Sequence, residues 1–164
     1  MKSKLSQLIT DQRKKEAADD AREAAKLKEQ QEQANKAELE KKERFNKVYF
    51  DKVYPALKEL HEAITEADKK ECYLLDNVEY KRKFGSTGTA CRDYLVILGT
   101  ERNYTINTVE AANETLMISF SQGYKKDIGG GQIKFELNQI PDTDELAERI
   151  LKKYLDDTEG YPLV

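Results

Sequence analysis

The sequence predicts an α+β protein. A long charged N-terminal helix, suited to a coiled coil, precedes an α-β-β-β-β-α head whose sheet is an antiparallel meander. Three observations predict it. Residues 1–44 hold 12 Lys/Arg and 10 Asp/Glu with no Gly, Pro or aromatic, and all five Phe, nine Tyr, eight Gly and three Pro come later. Apolar residues then recur every three or four positions from Phe45 to Ile64. Beyond that, apolar runs alternate with period two until a helical period returns after Pro141. The composition break divides the chain into a charged helical arm, 1–44, and an α+β head, 45–164.

The arm is built from Ala, Glu, Lys, Gln and Arg, the strong helix formers. Ser3 or Ser6 is placed to cap it, and Glu32–Lys36, Glu38–Lys42 and Glu40–Arg44 have the favourable i,i+4 order. One heptad register aligns Ala17, Ala24, Leu27, Ala34, Phe45 and Val48, but Asp20, Gln31, Glu38 and Lys41 interrupt it. That is a thin seam for a coiled coil. A solvated single helix or a frayed tail is the competing expectation.

The head helix carries Phe45, Tyr49, Val53, Leu57, Leu60 and Ile64 on one stripe, widened by Val48, Phe50, Tyr54 and Ala56. Pro55 lies inside this pattern. It should kink the helix or open a new one at its first turn. The helix is expected to stop at 68–70, where Lys69 and Lys70 suit the negative end of the dipole. Four strands are expected at 78–84, 94–98, 116–121 and 132–138, with 72–75 a short extra strand or a lead-in. The segments 85–88, 99–113 and 123–131 read as links, with Gly129, Gly130 and Gly131 in a mobile hairpin loop. The links are too short for crossover helices, so neighbouring strands should run antiparallel. Asp142 with Glu145 forms a capping-box start for a last helix carrying Leu146, Ile150, Leu151, Tyr154 and Leu155.

Charge and composition narrow the function classes. A net charge of -3 does not favour a general nucleic-acid coat or a polybasic membrane binder. No run of 18 apolar residues exists, and residues 1–20 lack a signal-peptide core, so a cytoplasmic protein with no membrane contact is expected. Cys72 and Cys91 fit no metal spacing, and the single histidine, His61, has no partner set for metal or nucleophile chemistry. No catalytic residue, cofactor or metal is assigned. The acidic group Asp156, Asp157 and Glu159 reads as a solvated helix end. The loop after Gly85 lacks the Gly-Lys-Ser/Thr ending of a phosphate cradle.

Two expectations follow. The first is a non-enzymatic interaction or assembly protein that self-associates, a dimer being favoured, or holds a protein partner. Its interface would use Phe45, Val48, Tyr49, Phe50, Val53 and Tyr54, the expectation being that one sheet face leaves part of so broad a stripe uncovered. The alternative is a nucleic-acid-binding accessory protein using Lys81, Arg82, Lys83, Lys125 and Lys126 beside aromatics. The plain reading of that patch is a solvated strand edge whose lysines discourage edge pairing.

Overall fold

The computed structural model describes residues 2–85, 91–100, 102–122 and 128–160. The chain divides into two compact units, residues 1–43 and 44–164. In the first unit every residue from 3 to 43 is helical and exposed. Helix α1 (Lys2–Val48) has begun before Ser3 and Ser6, so neither serine caps it. Within the unit Arg13 pairs with Glu16 at 2.9 Å and Gln12 donates to the same carboxylate at 3.3 Å. Leu5, Leu8, Ile9, Leu27 and Leu39 are all exposed on this helix. Arg44, expected beside Glu40, instead donates to Glu114 at 2.9 Å within the second unit.

The second unit is built around one sheet. The end of α1 passes through a π-helical turn (Tyr49–Val53) into α2 (Tyr54–Ala63), and a second π-helical turn (Ile64–Asp68) ends at Lys69. Lys69 adopts φ 52°, the left-handed conformation that stops a helix, within the expected span 68–70. The wide first turn lies directly upstream of Pro55, at the start of α2. Proline donates no hydrogen bond and crowds the carbonyl four residues back, that of Asp51. Thr143 compensates: its hydroxyl donates to the Asp51 and Lys52 carbonyls at 3.4 and 3.3 Å. Lys52 in turn donates to the Ile140 carbonyl at 3.2 Å.

Five strands follow: β1 (Cys72–Asp76), β2 (Cys91–Leu98), β3 (Asn103–Ala111), β4 (Thr115–Gln122) and β5 (Ile128–Glu136). They form an antiparallel meander in chain order, as expected. The membership differs from expectation in three places. Residues 78–84 are not a strand but helix α3 (Asn77–Phe84), because Asp76 caps it by accepting from the Glu79 amide at 2.8 Å. Residues 103–111, expected as a link, pair along their length with both neighbours. Gly129, Gly130 and Gly131 lie in β5, not in a loop. A Cβ on Gly131 would meet Lys153 Cε at 2.9 Å, so the glycine allows that side chain to lie across the strand.

The register places Leu95, Ile106 and Phe120 side by side, and beside them Thr108, Ile118 and Ile133. This face packs on Phe45, Tyr49, Leu57 and Leu60 and on Leu146, Ile150 and Tyr154 of α4 (Thr143–Gly160). The Asp142 carbonyl accepts the first bond of α4, from Leu146 at 2.9 Å, the backbone role expected of its N-cap. The other face is covered at β1 and β2 by α3, where Tyr80 stacks on Tyr94 with centroids 3.8 Å apart. That cover explains why Tyr94, Leu95, Val96 and Ile97 are all buried. Three buried phenols are tied to carboxylates: Tyr49 to Asp93, Tyr104 to Asp157 at 2.6 Å, and Tyr154 to Asp68 at 2.6 Å. Asp157 also accepts from Lys153 at 2.8 Å, so part of the acidic helix end is structural.

Candidate functional site

A cleft of about 440 Å³ opens in the second unit where three irregular pieces of backbone meet. One wall is the π-helical turn and the start of α2, carrying Phe50 and Tyr54. A second is the end of β1 and the start of α3, carrying Asp76, Asn77 and Val78. The floor is the start of β2, with Cys91, Arg92 and Asp93.

The floor depends on a β-bulge. The β2–β3 register shifts between Cys91 and Tyr94. In a regular strand neighbouring side chains point to opposite faces. Here both Arg92 and Asp93 reach the same helix. The Arg92 guanidinium lies 4.4 Å from the Tyr49 ring centre and 5.6 Å from that of Phe50, and it donates to Asn46 at 2.6 Å. It also approaches Glu110 at 3.6 Å. Asp93 accepts the Tyr49 hydroxyl, whose oxygen also lies 2.6 Å from the fully buried Thr108 hydroxyl. The Asp93 amide donates to that same Thr108 oxygen at 3.2 Å.

These contacts set the electrostatics. Burial first, and then the adjacent Asp93 charge, hold the Tyr49 hydroxyl protonated far above its ordinary range. Burial pushes the Asp93 carboxyl above the usual carboxylate range, against the Tyr49 hydrogen bond and the Arg92 charge, which pull it down. Asp76 and Glu79 add negative charge that also raises it. The mouth is therefore acidic, with its one guanidinium already engaged.

The cysteines lie apart in chemistry. Burial pushes the Cys72 thiol up to about 12, which keeps it out of the reactive thiolate form near neutrality. Cys91 is half-buried in the cleft, where the Asn107 amide approaches its sulfur at 3.5 Å. His61 donates from Nε2 to the Cys72 carbonyl at 2.9 Å and so ties α2 to β1. Among the described residues no group of three or more His, Cys, Asp and Glu side chains is placed to hold a metal ion. No helix is long and apolar enough to cross a membrane, among those same residues.

The residues expected to form a nucleic-acid surface are placed differently from their expected setting. Lys81, Arg82 and Lys83 are exposed on the two-turn helix α3, not on a strand edge. A helix turns about 100° per residue, so three consecutive cations fan around it instead of lining a groove. Lys83 rests 3.6 Å from the Tyr73 ring centre. Lys125 and Lys126 lie outside the described residues. Of the expected interface set, Phe45, Tyr49 and Val53 are buried in the head's own core, Val48 and Tyr54 are half-buried, and Phe50 remains 56% exposed. The stripe is broad because it wraps into the sheet, and only its Phe50 edge faces outward. Sequence reasoning did not single out Asp76, Arg92, Asp93 or Thr108. The Asp76–Glu79 spacing, a capping pattern, was the available signal for the first.

A second hollow, about 610 Å³, lies beside the β3–β4 hairpin and is lined by Arg44, Val48, Glu114 and Leu137. Of the two cations and two carboxylates that line it, Arg44 and Glu114 are joined to each other, beside Lys47 and Glu136. No family model, curated protein or solved structure matches this chain.

Proposed function

We propose that this chain is a non-enzymatic interaction protein whose arm self-associates, as a dimer, and whose head docks a partner. One observation carries the reading: every residue from 3 to 43 is exposed on the helix, while the head completes its own core from Phe45 onward. The arm is therefore not needed to bury the head's apolar surface. Its solvent-facing Leu27 and Leu39 are 66% and 57% exposed. Helices are stabilised mostly by packing of an apolar face, so a partner that covers Leu27 and the alanines in line with it stabilises the arm. Phe45 belongs to the head core and Val48 packs against it, which shortens the seam to Ala17, Ala24, Leu27 and Ala34. Such a seam suits a weak, close-packed pair.

Light scattering on residues 1–164 and 44–164 tests this. The longer chain is expected to give the larger association state at roughly tens of micromolar, with the difference growing with concentration. A monomeric mass for the full chain across that range removes the self-association reading. The nucleic-acid alternative draws on three fanned cations in the described residues.

A further inference from the structure

We propose that the cleft between Phe50 and Val78 is a docking site for an arginine side chain presented by an extended, partly apolar segment of a partner protein. The proposal rests on reading the chain as an interaction protein, and it names the chemistry that the head selects.

Exposed apolar surface is the first observation. Among the described residues of the head, three large apolar side chains are exposed: Phe50, Val78 and Leu155. Two of the three flank this one cleft, at 56% and 66% exposure, on opposite walls. Isolated apolar residues on a surface are ordinary, but two bracketing a concave site offer a place to bury a partner's apolar groups.

Charge complementarity is the second. Asp76 and Asp93 line this cleft together, and the Asp76 and Glu79 charges both raise the proton affinity of Asp93. Arg92 lines the same floor and its charge acts on Asp93, but its guanidinium is already engaged by the Tyr49 ring, Asn46 and Glu110. With two carboxylates in the lining against one engaged guanidinium, the cleft favours a cationic group over an anion. The aromatic wall narrows the choice. Phe50 and Tyr54 meet edge to face with centroids 6.3 Å apart, and Phe50 already lies within 5.6 Å of one guanidinium. A planar guanidinium is weakly hydrated, stacks on such rings and donates two parallel bonds to a carboxylate, where an ammonium does not. Its methylene stem suits the apolar rims.

The test uses the full chain and the peptide fluorescein-Gly-Gly-Leu-Arg-Leu-Gly-amide, labelled at its N-terminus, followed by fluorescence polarisation at low salt. Its control replaces arginine with citrulline, which keeps the shape and removes the charge. Saturable binding with a dissociation constant below about 1 mM is expected, weakened at least about tenfold by citrulline. Phe50→Ala and Asp76→Asn should each weaken it by about threefold or more; asparagine still caps α3, so the second change removes charge without removing the helix. Lys134→Ala, exposed on β5, should leave it unchanged. Absence of saturable binding, equal binding of the citrulline peptide, or indifference to both cleft variants overturns the proposal. Loss of self-association in Phe50→Ala would place a second copy of this chain in the cleft and overturns it equally. Light scattering separates the two readings. Self-association without peptide binding removes the cleft proposal alone, and peptide binding by a monomer removes the arm's role alone.

Discussion

Replacing Tyr49 by phenylalanine tests whether the floor of the cleft is held from inside the core. The ring is 1% exposed and packs against Phe45 with centroids 6.0 Å apart, so the substitution keeps nearly all the buried apolar contact. It removes one oxygen that donates to Asp93 and lies 2.6 Å from the Thr108 hydroxyl. A hydrogen bond to a charged group contributes about 1.5–3 kcal/mol, and its loss strands the acceptor. Asp93 is only partly buried, so water reaches it in the variant and the cost falls toward the lower end, about 1.5–2 kcal/mol. Asp93→Asn retains an acceptor for Tyr49 but removes the charge. In that background Tyr49→Phe should cost only about 1 kcal/mol, the figure for a neutral bond, leaving a coupling of about 0.5–1 kcal/mol. Urea midpoints supply both numbers. Tyrosine fluorescence is the better probe, because all nine tyrosines lie beyond residue 44 and the arm helix would dominate a backbone signal. A loss below about 0.5 kcal/mol, or an equal loss in both backgrounds, refutes the idea that this hydroxyl anchors Asp93.

Phe135, 8% exposed and paired with Leu116 across β4 and β5, should cost about 3 kcal/mol when truncated to alanine, the low end for an aromatic because β5 is an edge strand. Lys134→Ala, facing the other way and exposed, should change stability by less than about 0.5 kcal/mol; equal denaturant shifts would mean the outer face is covered. Glu114 sits at φ 52°, a left-handed conformation costly for a residue with a Cβ, so Glu114→Gly should be about 1 kcal/mol more stable than Glu114→Ala, since both lose the pair with Arg44. Calorimetric melting points that coincide for the two would exclude strain there. The raised proton affinity of Asp93 predicts a pH signature. Between the unfolded carboxyl value of about 3.9 and its higher folded value the native state keeps a proton that the unfolded state has lost, so stability falls as pH rises through that window. Wild type minus Asp93→Asn should trace that fall, and a flat difference from about pH 3 to 7 would mean that burial does not disfavour the Asp93 charge.

Fold class and meander order were legible because they depend on patterns longer than any one element. The break near Arg44, the stripe through Ile64 and the short links each speak for a whole layer. The errors arose where two periods fit the same residues. Val78, Tyr80 and Phe84 alternate with charges, yet Tyr80 and Phe84 are also four apart, and their rings meet at 5.1 Å on one helix face. The cap at Asp76 decides between them, and it lies outside the alternating run. Strand β3 was hidden by its polar content. Tyr104, Ile106 and Thr108 alternate correctly, but Thr105 and Asn107 look like loop residues until the neighbouring strands satisfy their backbones. Its hairpin turns through Asn113 and Glu114, both left-handed, without a glycine to announce it. The cleft was illegible for a different reason: its residues come from segments near 50, 76 and 92, and only the bulge turns Arg92 and Asp93 together.

The cleft also explains why the head tolerates so much irregular backbone in one place. A π-helical turn, a strand bulge and a strand that converts directly into a helix all give up regular hydrogen bonds, and each is usually kept where it aims a side chain. Separately, each has a local cause here: Pro55 widens the turn's surroundings, the bulge lets Arg92 stack on Tyr49, and Asp76 caps α3. Together they do something that none requires alone. The turn leaves Tyr49 inward and Phe50 outward, the bulge sets Asp93 beneath Phe50, and the cap holds Asp76 opposite, beside Val78. The buried half of this arrangement, Tyr49 with Asp93 and Thr108, fixes the position of the exposed half. Restoring regularity should therefore separate the two effects. Deleting one residue from the bulge, Arg92, would remove the stack on Tyr49 and realign β2 with β3, costing peptide binding far more than it costs the sheet. A variant that lost its fold together with its binding would show instead that the bulge serves the core.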